Sequence, residues 1–314
     1  MERSFEKTIK NQVEQEGDEK VSMKEVPNWH FETGTPLWEL GKKVEEISIM
    51  HESIKIGLPP EVEELKKNLD KYVSPTFFNG PFVNTEDIDF SGNSIKIGTK
   101  ETDLFSYVAA DYFYRDKQSE NPIRPLAVQA TLFSPGGDKI ILERRSKDLT
   151  DMPGKLTVFG GALKPGEIDF KKAIGERLNK KWGVEIKEEN IIPTGICREN
   201  INNIYCSLFM AELTSEQYEE RKKWARELMR AKKKMFYEVA TDKSSQSIEK
   251  ILLGKRDISQ WDPSGYYNIL YALVARGLRT PEEVKELLKK AKKKAKEKDK
   301  EKPFEYKYPM ENYL

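Results

Sequence analysis

The residues best suited to chemistry lie between positions 160 and 184. Glu167 closes the run Gly160-Gly161-Ala-Leu-Lys-Pro165-Gly166-Glu167, and Glu176, Arg177, Lys180 and Lys181 follow on Phe170 to Trp182, a stretch that reads as a helix with Gly183 as its C-cap. Residues at i, i+3 and i+4 share one helical face. Carboxylates at such positions would hold a hard divalent cation through oxygen. Here the shared face carries Arg177, Lys180 and Lys181. Guanidinium and ammonium groups donate hydrogen bonds and accept none, so these three cannot ligate magnesium but can bind phosphate directly. The acids left nearby are Glu167 and Glu176, the second turned one residue, about 100°, around the helix.

Elements on either side must position these groups. Leu126 to Phe133 is a largely apolar run, Ser134-Pro-Gly-Gly-Asp138 a turn, and Lys139 to Arg145 a second strand. Lys155 to Phe159 reads as a short strand before the paired glycines. Ile191 to Cys197 and Ile204 to Leu213 read as two more, Thr214 to Lys234 as a charged helix, Phe236 to Ala240 as a strand and Gln246 to Leu253 as a short helix. Asp262-Pro263 opens a helix that stops at Gly277, and Thr280-Pro-Glu-Glu283 is a capping box for a last, Lys-rich helix. Upstream, Glu61 to Leu69 after Pro59-Pro60 and Asp103 to Tyr114 read as helices, and Thr76 to Val83 and Ser94 to Gly98 as strands with turns at Asn79-Gly80 and Gly92-Asn93.

The glycine and glutamate spacing resembles the Nudix box, a loop–helix–loop that reads Gly, five residues, Glu, seven residues, then Arg-Glu-aliphatic-x-Glu-Glu-x-Gly-aliphatic. Gly161 and Glu167 stand in register with its first half, and Leu178, Gly183 and Val184 with its second, with one extra residue between the halves. In that frame Glu176 stands at the expected Arg, Arg177 at the first helix Glu, and Lys180 and Lys181 at the two metal-binding glutamates. The flanks agree. Arg144 or Arg145 stands where the family often carries an arginine toward substrate phosphates, the alternative being an edge-strand charge. Asp151-Met-Pro-Gly-Lys155-Leu156 resembles the approach to the box. More faintly, Phe77 to Pro81, Ile95 to Ile97 and Thr102 to Tyr107 resemble the N-terminal part of two-part Nudix proteins that cleave UDP-sugars.

The resemblance implies an α/β/α sandwich with a mixed sheet over residues 122–278. A polar tail (1–25) and an α+β segment (26–121) packed on the sandwich would precede it, and a basic helix with an aromatic tail (279–314) would follow. It also implies a nucleoside diphosphate derivative, such as an NDP-sugar, held by Arg144, Arg145, Arg177, Lys180 and Lys181, with hydrolysis weak or lost. A second reading is an active magnesium-dependent hydrolase that uses Glu167 and Glu176 with Glu143, Glu199 or Glu238 from outside the box. In it a bulge at Gly175 would turn Glu176 back toward the site. A third reading is a nucleic-acid or ribonucleoprotein binder, since residues 276–302 carry 12 basic and 6 acidic groups.

Bulk properties are neutral among these readings. The 314 residues carry 54 basic and 53 acidic groups, a net charge of +1, so bulk charge does not point to nucleic acid. Two cysteines, Cys197 and Cys206, make neither a disulfide framework nor a zinc site, and read as small core residues. His30 and His51 have no nucleophile or ligand partner at a telling spacing. No apolar run reaches membrane-spanning length, and a soluble cytoplasmic protein is expected.

Overall fold

The computed structural model describes residues 34–36, 46–72, 79–90, 94–114, 117, 120–145, 154–199, 203–230, 235–241, 248–249, 253 and 261–301. The expected polar tail, His30, most of the 246–253 helix and the aromatic end fall outside these residues.

The main sheet is organised around β5 (Leu126–Phe133), which pairs in parallel with β10 (Ile204–Glu212) and antiparallel with β6 (Lys139–Arg144) and β8 (Phe159–Ala162). All eight residues of β5 are buried, as befits a central strand covered on both faces. Strand periodicity then divides it. Leu126, Val128, Ala130 and Leu132 enter one core, while Ala127 and Phe133 enter the other. The sheet runs β1 (Gly34–Pro36), β9 (Ile192–Glu199), β10, β5, β6, β11 (Met235–Ala240), with the short β7 (Leu156–Thr157) on β6. The single strand expected over Lys155 to Phe159 is thus two, because the chain crosses at Val158 from pairing with β6 to pairing with β5.

Helices cover both faces, which gives the expected α/β/α sandwich. The first core takes in α3 (Phe170–Trp182) and Tyr218 of α4 (Ser215–Arg230). The second takes in α5 (Pro263–Ala275) together with Val284, Leu287 and Ala291 of α6 (Pro281–Glu301). The basic helix therefore begins inside the same core as α5. Its start is the expected capping box: Thr280 N–H donates to Glu283 Oε2 (2.9 Å), and Glu283 N–H donates to Thr280 Oγ1 (3.2 Å).

Upstream, β2 (Glu46–Lys55), β4 (Ser94–Asp103) and β3 (Pro81–Asp89) form a second mixed sheet. Ile47, Val83, Ile95 and Ile97 bury into the α3-side core, and Val83 N–H donates to Leu163 O at 3.0 Å. The helices α1 (Pro60–Tyr72) and α2 (Leu104–Phe113) pack together through Val62, Leu69, Phe105 and Val108. Strands β1 and β2 are absent from the sequence reading. Among the described residues β2 pairs only with β4 and leaves Met50 and Ile54 about half exposed, so burial imposes no clean alternation on it. No helix among the described residues is long and apolar enough to cross a membrane.

Candidate functional site

The α3 helix is fixed at both ends by its own sequence. Asp169 caps it, with its side chain accepting from Lys172 N–H at 3.0 Å, and Gly183 ends it at φ 64°, ψ 22°, where only glycine is unstrained. Phe170, Ala173, Ile174 and Leu178 are buried against the sheet, with Phe170 5.9 Å from Phe209 between ring centroids. Phe170, Ile174 and Leu178 each contribute roughly 1.5–3 kcal/mol. The helix runs unbroken through Gly175, whose Cβ position would make only an ordinary 3.5 Å contact with Ile186 O. The anticipated bulge is therefore absent. A regular helix leaves Glu176 exposed, one residue round from Arg177. Ahead of the helix the chain turns at Pro165-Gly166, where Gly166 has φ 86°.

The centre of the site is an ion pair between loop and helix. Arg177 Nη2 donates to Glu167 Oε2 at 2.6 Å and to Ala162 O at 2.7 Å, and Nη1 donates to Ala173 O at 2.9 Å. Glu167 Oε2 also accepts from Lys164 N–H at 2.7 Å. The two side chains are 14% and 26% exposed, so the pair is shielded more than a surface bridge. Its result is to tie the loop to β8 and the helix through a cation built into the chain. Lys180 is exposed and lies on the same side as Arg177; the side chain of Lys181 is outside the described residues. Both belong to the last turn of α3, where unpaired carbonyls make the helix end partly negative and favour cations. These residues do not fit a divalent metal, because, of the two carboxylates of the loop, Glu167 is occupied by Arg177 and Asp169 caps α3. Among the described residues no group of three or more His, Cys, Asp or Glu could hold one.

The upstream arginines are engaged elsewhere. Arg144 Nη1 donates to Gly154 O at 2.7 Å. Arg145 Nη1 donates to Asp262 Oδ2 at 3.3 Å, and that buried carboxylate also accepts from Thr157 Oγ1 (3.1 Å), Ser264 Oγ (2.8 Å) and Ser264 N–H (3.2 Å). Asp262 is thus more than the cap legible from Asp262-Pro263: it is the counter-charge that ties Arg145 and β7 to the start of α5. No spacing rule links residues 117 positions apart, so this role was invisible in the sequence.

Of the acids proposed from outside the box, Glu238 is held in ion pairs with α4 and β6. Glu238 pairs with Arg221 at 2.8 Å and with Lys139 at 3.6 Å. Burial alone would raise its carboxyl, but the hydrogen bond from Arg221 and the nearby Tyr218 hydroxyl, with the charges of Arg221 and Lys139, hold it below the ordinary range. The same pocket pushes the Tyr218 hydroxyl up to about 12, chiefly by burial and then by the adjacent Glu238. Glu143 has one buried carboxylate oxygen without a hydrogen-bond partner, and the Glu199 side chain is outside the described residues. Cys197 and Cys206 are free and buried, directly opposite across β9 and β10. The Cys197 side chain and full burial hold the Cys206 thiol well up, which suits an inert core group. His51 shares a hydrogen bond with Thr99 Oγ1 at 3.0 Å, across β2 and β4.

No protein-family model matches the sequence, and no curated protein matches it. Solved structures that resemble it include a MutT/Nudix family protein of Enterococcus faecalis, 18% identical over 33% of this chain and 43% of that one, with a TM-score of 0.25. A MutT protein of Methanosarcina mazei Go1 is 14% identical over 50% of this chain and 96% of that one, at 0.30. The MERS1–RNA complex of T. brucei is 23% identical over 33% of this chain and 40% of that one, at 0.26. The chain thus spans less than half the length of the first and third. At these TM-scores the likeness establishes nothing about activity. What the structure itself provides is a mixed sheet and, over residues 160–184, a loop, a helix and a glycine cap.

Proposed function

We propose that this is a Nudix-like protein that binds a phosphate-bearing ligand of the nucleoside diphosphate class and has little or no hydrolase activity. The observation that carries this reading is the Arg177–Glu167 pair, which places a tethered cation against the loop carboxylate. Three of the five guanidinium N–H donors are used on Glu167, Ala162 and Ala173. The remaining donors, with Lys180 and Lys181, supply positive charge where a diphosphate would need it, and no water is activated by a Lewis acid. In this reading Arg144 and Arg145 are scaffold, holding the β6 end to Gly154 and Asp262.

Titration calorimetry with UDP-glucose and ADP-ribose, with and without magnesium, followed by product analysis, tests the proposal. Binding that survives a chelator, releases no monophosphate and weakens in Lys180→Glu supports it. Magnesium-dependent release of UMP or AMP, lost in Glu176→Gln, overturns it in favour of a hydrolase with a rearranged metal site.

A further inference from the structure

The basic helix α6 (Pro281–Glu301) is a charged element that the diphosphate reading leaves unused. Its first half is anchored: Val284, Leu287 and Ala291 are buried in the core shared with α5. At about 100° per residue these three fall within an arc of roughly 60°. Between Glu286 and Glu297 the sequence has no acid and six lysines, Lys289, Lys290, Lys292, Lys293, Lys294 and Lys296. Of these, Lys289, Lys290 and Lys293 are exposed and occupy an arc of roughly 100° turned away from the core. Lys294 stands nearer the core and donates to Leu253 O. The acids lie apart along the axis. Glu282, Glu283 and Glu286 belong to the first two turns, where the positive helix end favours them, and Glu297, Asp299 and Glu301 follow the lysines.

Like charges at i, i+3 and i, i+4 oppose a helix. Lys290 and Lys293 stand three apart, and Lys289 and Lys293 four apart. The Glu286–Lys289 bridge is 3.9 Å long between side chains 61% and 80% exposed, which leaves it weak. A polyanion would neutralise this stripe. Charge across the chain agrees: residues 276–302 are net +6 in a chain of net +1, which leaves −5 for the rest. A polyanion is thus drawn to α6 and, on balance, repelled from the remainder.

The composition of α6 selects the polyanion. No large apolar residue follows Leu288 within it, so the lysine stretch lacks the apolar face that a membrane surface would bury. It contains no aromatic residue, so unpaired bases find no stacking platform. A single helix enters the major groove of B-form DNA, about 12 Å wide, and not the narrow major groove of an RNA duplex. Lys289 to Lys293 span about 6 Å of helix axis, and the DNA duplex carries one phosphate per ~1.7 Å, so the stripe meets about three.

We propose that α6 is a sequence-independent docking site for double-stranded DNA, with Lys289, Lys290 and Lys293 on the backbone phosphates. The site is separate from the box and does not rest on the diphosphate reading.

Fluorescence anisotropy of a labelled DNA duplex of about 20 base pairs, titrated with the full chain at several salt concentrations, tests this. Three phosphate contacts predict a slope of about −2.7 in log affinity against log salt, a loss of about 40-fold between about 50 and about 200 mM. In Lys289→Gln/Lys290→Gln/Lys293→Gln the slope should collapse toward zero and affinity at the lowest salt should fall tenfold or more, with the far-ultraviolet dichroism of the unaltered chain. The slope of the unaltered chain needs no substitution, so the test stands even if that variant misfolds. No binding at the lowest salt, or a slope near zero, overturns the proposal. So does a slope that survives the triple variant and is lost in Lys180→Gln, because the box then holds the DNA. Equal affinity for an RNA duplex of the same length sinks the groove placement. Tighter binding to vesicles of about one-third phosphatidylserine in phosphatidylcholine assigns the helix to a membrane surface instead.

Discussion

Removing Arg177 measures how far the box depends on its internal cation. Arg177→Met takes away three hydrogen bonds at once: a charge-assisted bond of 2.6 Å to Glu167 and those to Ala162 O and Ala173 O. Hydrogen bonds to charged groups contribute roughly 1.5–3 kcal/mol, and neutral ones about 1. Glu167 retains its bond from Lys164 N–H and is 26% exposed, so water relieves part of its loss. The expected destabilisation is about 2–3 kcal/mol. Glu167→Gln removes the charge but can still accept from Lys164 N–H and should cost about 1 kcal/mol. The double variant isolates the pair, with an expected coupling of about 1–2 kcal/mol. Urea unfolding followed by far-ultraviolet dichroism gives all four free energies. A coupling below about 0.5 kcal/mol, the scale on which independent sites simply add, would refute the pair as the tie between loop and helix.

Other outcomes follow from the same structure. The Glu238 carboxyl is held below its unfolded value, so it contributes stability that is present above the ordinary carboxylate range and lost as pH falls through the lowered folded value. Urea midpoints from pH 7 to pH 3 should fall less steeply in Glu238→Gln, and an unchanged slope counts against the Arg221 pairing. Asp262→Ala removes a buried carboxylate with four hydrogen bonds and leaves Arg145 without its counter-charge, so a loss of about 3 kcal/mol in the same unfolding assay is expected. Arg177→Glu/Lys180→Glu/Lys181→Glu places carboxylates at i, i+3 and i+4 and should raise magnesium affinity in calorimetry by tenfold or more. No gain would show that the backbone frame differs from a metal-holding box.

Local rules carried far into this fold. The boundaries of β5 and α3, the Gly183 cap and the Thr280–Glu283 box are all legible from short stretches of contiguous sequence, and the structure places each where the sequence does. The exposed β2 strand did not follow, because a lone-edge pairing leaves its side chains under little selection for alternation. The site was legible in composition and not in connectivity. The sequence shows which charges stand on the box, but the partner of Arg145 is 117 residues away in Asp262, and that of Arg221 is reached only through the β6–β11 pairing. Gly175 misled for a related reason: a glycine permits a bulge, and the burial of Ala173, Ile174 and Leu178 around it holds the helix regular.

The Arg177–Glu167 tie also has a thermodynamic consequence. A loop ordered by a diffusible ion has an occupancy that follows the ion's free concentration, and its stability rises with the logarithm of that supply. A guanidinium carried on the adjoining helix is present at an effective concentration set by geometry alone. In the proposed reading, residues 163–169 hold their shape through chelation and changes of metal supply, and the order of that loop is a constant and not a variable.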